Sequence, residues 1–160
     1  MNILVVYDSI FGNTAQVAKT VADALGPDNQ VRLMTVQKAK GLTLDDVDLL
    51  IVGSPTRGFR PTPMISEYIE GLGAATGKKA AVFDTRIELE SIHPTPLRWV
   101  VDAGGYAADR IVQVLDRHGF SITGEPCGFF VSGTEGPIRD GELDRAKAWA
   151  LSLMPRAAAA

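Results

Sequence analysis

Short apolar runs alternate along the chain with longer segments in which apolar residues recur at helical spacing. Continuous apolar runs are typical of parallel strands covered on both faces, and their alternation with helices is the pattern of βαβ units. The runs predict five strands, at residues 3–7, 31–36, 49–53, 80–83 and 128–131, the last of which can begin as early as 120–122. The predicted fold class is therefore α/β, a three-layer αβα sandwich around a five-stranded parallel sheet.

Four segments between and after these strands have helical spacing. The first covers residues 18–25 and is expected to end at Gly26 as a C′ glycine, and the second covers residues 64–72. The third is predicted to begin after Thr95 as its N-cap and, after an interruption by two glycines, to resume over residues 107–115.

The last helix is predicted to start near Asp140, where acidic side chains favour the positive end of the helix dipole. Its spacing predicts a buried face of Leu143, Ala146, Ala150 and Leu153. We expect residues 1–155 to form a single domain and residues 156–160 to be a frayed, alanine-rich tail.

Charge and composition narrow the classes of partner. Sixteen basic and nineteen acidic residues give a net charge of −3, which predicts no electrostatic attraction to nucleic acid or to an anionic membrane. Cys127 is the only cysteine, so we expect neither an intramolecular disulfide nor a multi-cysteine metal site. The apolar run at residues 3–7 is too short for a signal peptide or a spanning helix, and we expect a cytoplasmic protein.

Ligands of open parallel sheets bind at the carboxyl ends of the strands, which directs attention to the loops after strands 1, 3 and 4. The first loop, "DSIFGNT", leads directly into a helix whose first N–H groups are unpaired. Gly12 and the side chains of Ser9, Asn13 and Thr14 can therefore surround a phosphate. An alternative explains the same residues, since Asn13 or Thr14 can simply cap the helix.

The other two loops carry a different chemistry. In "SPTRGFRPTP", Arg57, Phe59 and Arg60 can form one wall for a flat conjugated ligand, or the loop can be solvated. The third loop opens with Asp84, Thr85 and Arg86, and Arg86 can equally pair with Asp84 or with Glu88.

The chain resembles the flavodoxin family. Residues 5–21 match the family signature at each specified position, with two apolar residues followed, at the family's spacings, by Tyr7, Ser9, Gly12, Thr14, Ala18 and Val21. The segments "GSPTRGFRPTP", "FDTR" and "GPIRDGELDRAKAWA" resemble single-domain flavodoxin-like proteins in particular. The resemblance implies a flavodoxin-like sheet of strand order 2-1-3-4-5.

It also implies bound FMN. The residues expected at the phosphate are Ser9, Ile10, Phe11, Gly12, Asn13 and Thr14. Those expected around the isoalloxazine ring are Pro55, Thr56, Arg57, Gly58, Phe59, Asp84, Thr85 and Arg86. No side chain is expected to act as a covalent catalyst, because the flavin carries the redox chemistry.

Three departures from the family pattern affect this interpretation. Phe11 stands where carriers often have a hydroxyl, and Arg57 stands where an aromatic ring commonly covers the flavin. The net charge is also far less acidic than that of typical carriers, and two or three arginines lie near the predicted ring, where a positive charge should raise the flavin's reduction potential. We therefore expect a less strongly reducing flavin.

The resulting hypothesis is an electron-transfer flavoprotein whose partner is a redox protein or a small-molecule electron donor or acceptor. The alternatives are a small FMN-dependent NAD(P)H/quinone-type oxidoreductase and a flavin-free binding or regulatory module.

Overall fold

The computed structural model describes residues 1–57, 60–87 and 106–155. The described strands are β1 (Asn2–Tyr7), β2 (Gln30–Thr35), β3 (Leu49–Pro55), β4 (Lys79–Ile87), β5 (Ser121–Ile122) and β6 (Cys127–Val131). The described helices are α1 (Asn13–Leu25), α2 (Val36–Ala39), α3 (Pro63–Glu70), α4 (Ala107–Arg117) and α5 (Glu142–Ser152).

The sheet is parallel and has the order β2-β1-β3-β4-β5, which confirms the predicted fold class and strand order. The fifth strand is divided into two pieces that both pair with β4. Its first piece, β5, lies beside Lys79 and Ala80, and its second piece, β6, lies beside β4 from Phe83 to Ile87. Both of the alternative starts predicted for this strand are therefore occupied.

Each central strand places alternate residues in two separate cores. Ile3 and Val5 face α1 and α5, whereas Leu4 and Val6 face the layer that contains α3 and α4. This arrangement explains why β1 is apolar at successive positions. The expectation of burial on both faces is wrong for β2, where Leu33 is 38% exposed, because this strand lies at the edge of the sheet.

The predicted helices are present with two corrections. Gly26 is not a left-handed C′ glycine; it has φ of −58° and continues into a 3₁₀ turn, Gly26–Asp28. In α5, Ala146, Ala150 and Leu153 are buried as predicted, but Leu143 is exposed. Glu142 takes the inward position instead, because its carboxylate accepts a hydrogen bond from the Phe130 N–H at 2.7 Å.

Part of the predicted third helix lies outside the described residues, including Thr95 and the two glycines. Its second half is present as α4, which begins after Tyr106, whose N–H donates to the Asp109 carboxylate at 3.2 Å. The short helix α2 was not predicted, because four residues are too few to show a helical period. Residues 156–160 are also outside the described part, so the single-domain assignment and the frayed tail stay predictions.

Candidate functional site

A cleft of about 250 Å³ opens at the carboxyl edge of the sheet. It is lined by Ile10, Phe11, Asn13, Thr14, Pro55, Thr56, Arg57, Thr85, Arg86, Ile87, Val131 and Thr134. The loops after β1, β3 and β4 all contribute, as the strand order requires of a site at this edge. Nine of the predicted site residues are therefore brought together around one opening.

The loop between β1 and α1 presents a set of unpaired backbone donors. Within the described residues, four N–H groups of this loop and first turn have no hydrogen-bond acceptor: those of Ile10, Phe11, Asn13 and Thr14. Gly12 has φ of 92°, and a Cβ added there would meet no atom within 4 Å. The backbone thus turns sharply and leaves open space in front of the positive end of α1.

Neither Asn13 nor Thr14 caps the helix, so that alternative is wrong. The N-cap is Gly12, which has no side chain to offer. Ser9 takes over this function, and its Oγ accepts hydrogen bonds from the N–H groups of Gly12 at 3.1 Å and Ala15 at 3.3 Å. With both lone pairs used, the Ser9 hydroxyl hydrogen is still available to donate to a ligand.

The Thr14 hydroxyl connects the first loop to the third. Thr14 is 1% exposed, and its Oγ1 lies 2.8 Å from that of Thr85, with either atom able to donate. When Thr85 donates, Thr14 keeps its own hydrogen for a ligand in the cleft. The pair fixes the start of α1 against the end of β4.

The second and third loops are also connected to each other. The Thr56 N–H donates to the Thr85 carbonyl at 2.9 Å, and the Thr56 hydroxyl accepts from the Ala107 N–H at 3.1 Å. Arg57 follows, exposed at the rim of the cleft. Gly58 and Phe59, both predicted at the flavin ring, lie outside the described residues.

Asp84 and Arg86 form a pair beside the cleft. The Arg86 guanidinium donates two hydrogen bonds of 2.7 Å to the Asp84 carboxylate, which is fully buried and also accepts from the Ala108 N–H at 2.9 Å. Burial raises the pKa of Asp84 above its ordinary value of 3.8, against the opposing effects of Arg86 and the Ala108 N–H. Of the two predicted partners of Arg86, Asp84 is the one the structure shows.

The surroundings of Arg86 hold its guanidinium in place. Its Cζ lies 3.7 Å from the centre of the Tyr106 ring, as in a close cation–π contact. A Cβ at Gly128 would fall 2.0 Å from the Arg86 Nε, so only glycine leaves room for it there. Arg86 thus lines the cleft with a positive charge that a buried carboxylate largely compensates.

A fourth loop, after β6, also reaches the cleft and was not predicted. Thr134 lines the opening, and the Asn13 amide donates to the Glu135 carbonyl at 3.1 Å. A Cβ at Gly136 would meet the Asn13 amide at 2.5 Å, so this loop packs directly on the start of α1. The cluster "SGTEGP" is typical of a turn and is the one local signal for this loop.

Three other residues singled out from the sequence lie away from the cleft, and a fourth is not among the described residues. His118 is the C-cap residue of α4, and Trp149 packs edge-on against Phe83 and Phe129 in the core. Cys127 is half-buried beside Arg145. His93 lies outside the described residues.

The segment at residues 71–79 connects α3 to β4, as predicted for a surface connection. It forms part of a larger cleft of about 570 Å³ at the opposite, amino edge of the sheet. We assign the ligand site to the carboxyl edge despite the smaller volume, because the unpaired N–H groups are located there.

No helix within residues 1–57, 60–87 and 106–155 has the length and apolar character needed to cross a bilayer. In the same ranges, no group of three or more His, Cys, Asp or Glu side chains is placed so that it could bind a metal ion.

Similar folds occur in several solved structures. Oxidised Flavodoxin 1 from Bacillus cereus superposes with a TM-score of 0.74 at 17% identity, over 96% of this chain and 97% of that one. A flavodoxin, WrbA-like protein from Agrobacterium tumefaciens gives 0.63 at 17% identity, over 95% and 94%. Rubredoxin oxygen:oxidoreductase from Desulfovibrio gigas gives 0.70 at 20% identity, over 95% of this chain but 35% of that one.

At these identities the structural matches establish the fold alone. No curated protein matches the sequence. The sequence profile described as "Flavodoxin domain" matches residues 4–87, which is more than half of the 160-residue chain and includes β1 to β4 with the first loop. The chain belongs to the flavodoxin family.

Proposed function

We propose that the protein binds FMN in the carboxyl-edge cleft and transfers electrons through it. The family implies a flavin, and the residues present fit FMN in particular, because their donors suit a phosphate dianion. The unpaired N–H groups at the start of α1 are the observation that carries this proposal. With the hydroxyl hydrogens of Ser9 and Thr14, they supply neutral donors at the positive end of a helix dipole.

The chain's residues have distinct tasks in this proposal. Ser9 and Gly12 shape the phosphate loop, Thr14 and Thr85 hold it against β4, and Asn13 fixes it to the loop after β6. The apolar side chains of the cleft, among them Pro55, Ile87 and Val131, exclude water from one side of a flat ring. Bound FMN supplies one- and two-electron redox chemistry.

We assign all of the site residues expected from the sequence to this cofactor, including Ile10, Phe11, Arg57, Gly58, Phe59, Asp84 and Arg86. Asp84 acts indirectly, by holding Arg86, because its carboxylate is fully buried. The electron donor or acceptor is proposed to be a redox protein or a small molecule, and the compartment is proposed to be the cytoplasm.

The absorption spectrum of the purified protein, before and after incubation with FMN and desalting, tests the proposal. We expect visible flavin bands to stay with the protein. Riboflavin, which lacks the phosphate, is the matched control and should be lost on desalting, because the unpaired donors then have no acceptor. A colourless protein that retains neither compound would contradict the proposal.

The second candidate is a flavin-free binding module. It is favoured by Ile10 and Phe11, which are 48% and 47% exposed at the mouth of the cleft and would suit a partner's apolar surface. Retention of FMN separates the two functions, whereas rapid reduction of bound FMN by NAD(P)H would indicate the oxidoreductase alternative.

A further inference from the structure

The larger cleft, at the amino edge of the sheet, takes no part in the proposed function, and we call it the amino-edge cleft. It lies between the loop after α2, the second half of α3 and the segment that connects α3 to β4. Its volume of about 570 Å³ is typical of sites for small molecules. Because β3 is seven residues long, about 20 Å separates this edge of the sheet from the carboxyl-edge cleft.

Tyr68, on α3, lines the amino-edge cleft and carries an unpaired hydroxyl group. The residue is 7% exposed, and its Oη is the one buried side-chain nitrogen or oxygen without a hydrogen-bond partner within residues 1–57, 60–87 and 106–155. Buried hydroxyl groups are nearly always paired, because an unpaired one loses its bonds to water without a replacement.

The state of the Tyr68 hydroxyl indicates which partner it lacks. Burial raises the pKa of Tyr68 above its ordinary value of 10.0, so near neutral pH the side chain is an uncharged phenol with a hydrogen to donate. A phenol donates a hydrogen bond more strongly than it accepts one, since its oxygen lone pair is delocalised into the ring. The partner it lacks is therefore an acceptor atom.

The charged groups around the amino-edge cleft balance one another. Lys40 lies 3.7 Å from Glu67, and the two side chains are 45% and 74% exposed. The Lys78 ammonium group donates to two backbone carbonyls, and Asp45 adds a second carboxylate to the lining. Because two cations accompany two carboxylates, the cleft favours an uncharged ligand over an ion.

Apolar side chains form much of the remaining wall. Leu42, Leu44 and Leu72 all line the cleft, and Leu42 is 40% exposed. Covering such side chains with an apolar ligand removes their surface from water, which is favourable in proportion to the area covered. The lining therefore suits a ligand with an apolar body.

We propose that the amino-edge cleft binds an uncharged small molecule that has an apolar ring system and a carbonyl oxygen, and that this oxygen accepts a hydrogen bond from Tyr68. The Tyr68 oxygen is shielded from solvent in this structure, so the entering ligand displaces apolar side chains such as Leu42 and Leu72. Burial of the rings supplies affinity, and the hydrogen bond supplies selectivity for the carbonyl group. The site is separate from the carboxyl-edge cleft and does not depend on flavin.

The test compares α-tetralone, a ketone with two fused rings, with tetralin, which has the same rings without the oxygen. Each is titrated into the isotopically labelled protein in the presence of FMN, and NMR shifts of the amide groups locate the binding. We expect α-tetralone to shift the amides of residues 39–45 and 71–75 and to leave those of Gly12 and Thr56 unchanged. Tetralin should bind about five-fold more weakly, because it gives the hydroxyl no partner.

The variant Tyr68→Phe removes the hydroxyl and keeps the ring. It should lower the affinity for α-tetralone about five-fold and leave the affinity for tetralin unchanged. Thr43→Val is the matched control, because it removes an exposed hydroxyl at the same cleft, and it should change neither affinity. Without ligand, Tyr68→Phe should keep or raise the Tm, since the hydroxyl that it removes has no partner.

The proposal would be overturned if α-tetralone left the amides of the amino-edge cleft unshifted, or if it bound no more tightly than tetralin. Equal effects of Tyr68→Phe and Thr43→Val would also overturn it. So would a lower Tm of ligand-free Tyr68→Phe, because the hydroxyl would then already be paired within the protein. The same shifts are expected without FMN, so failure of the proposed function would leave this result unchanged.

Discussion

Gly12 combines two properties that are needed at a phosphate loop: a positive φ of 92° and open space in front of the backbone. Gly41 has the same properties, with φ of 83° and no atom within 4 Å of an added Cβ, but lies away from the carboxyl-edge cleft. We predict that Gly12→Ala and Gly41→Ala each lower the free energy of unfolding of the FMN-free protein by about 1 kcal/mol, because left-handed backbone is unfavourable for alanine.

Only Gly12→Ala should lower the affinity for FMN, by at least about ten-fold, because the added methyl group enters the space in which the phosphate is proposed to lie. Urea unfolding and titration of FMN fluorescence measure the two effects separately. Equal FMN affinities for the two variants would argue against the phosphate position.

The Thr14 hydroxyl is the second residue-scale test. We predict that Thr14→Val lowers FMN affinity by about 1.5–3 kcal/mol, the usual contribution of a hydrogen bond to a charged group. Valine keeps the shape of this buried side chain, so packing is little changed. Riboflavin affinity should change much less, because the lost bond is proposed to be to the phosphate.

Thr20→Val is the matched control, since its hydroxyl donates to the Gln16 carbonyl on the exposed side of the same helix. An equal loss of FMN and riboflavin affinity in Thr14→Val would assign Thr14 to the ring side of the cleft, through its bond to Thr85.

At the scale of elements, α5 is held against β6 by a buried carboxylate. Burial by itself raises the pKa of Glu142, but hydrogen bonds from Arg145 and from the Phe130 N–H outweigh it, so the pKa lies below its ordinary value of 4.5. A carboxylate with a lowered pKa stabilises the folded protein above its ordinary pKa, and this contribution is lost as the pH falls through the folded value.

We therefore predict that Glu142→Gln destabilises the protein most near pH 7 and progressively less below about pH 4.5. Urea unfolding across this range measures the difference from the unmodified chain. Glu67→Gln is the control, because Glu67 is 74% exposed and lies 3.7 Å from Lys40, so its effect should be small at every pH. A difference for Glu142→Gln that does not change with pH would contradict the assignment.

The same helix shows what the sequence could and could not predict. Strands β1, β3 and β4 were predictable because burial on both faces leaves a continuous apolar run, and α1 because its apolar residues repeat on one face. On α5 the prediction was wrong only for Leu143, because Glu142 takes the inward position through its bond from the Phe130 N–H on β6, which no periodicity reveals.

The site was predictable to a similar extent. Strand order predicts that the loops after β1, β3 and β4 form the site, so most of the residues lining the cleft could be named from the sequence. The bond from Asn13 to Glu135 joins residues 122 positions apart, and the local pattern around either residue contains no sign of it. Contacts of this kind depend on how the whole sheet brings its loops together.

At the scale of the whole molecule, the distribution of charge matters more than its sum. The sequence led us to expect that arginines near the flavin would raise its reduction potential relative to acidic carriers. The two arginines that line the cleft, Arg57 and Arg86, differ in how far their charge is compensated. Arg86 is bonded to a buried carboxylate, which compensates its charge, whereas Arg57 is exposed and makes no ion pair with a described residue.

Arg57 should therefore have the larger effect on the potential of bound FMN. We predict that Arg57→Gln lowers the one-electron reduction potential by about 20–40 mV, which corresponds to about 0.5–1 kcal/mol for an exposed charge near the ring. Arg60→Gln should change it much less, because Arg60 does not line the carboxyl-edge cleft. An anaerobic redox titration of both variants, at low and at high salt, measures this difference. Because solvent screens exposed charges, the effect of Arg57→Gln should shrink at high salt, and a shift independent of salt would mean that the residue acts by contact rather than by charge.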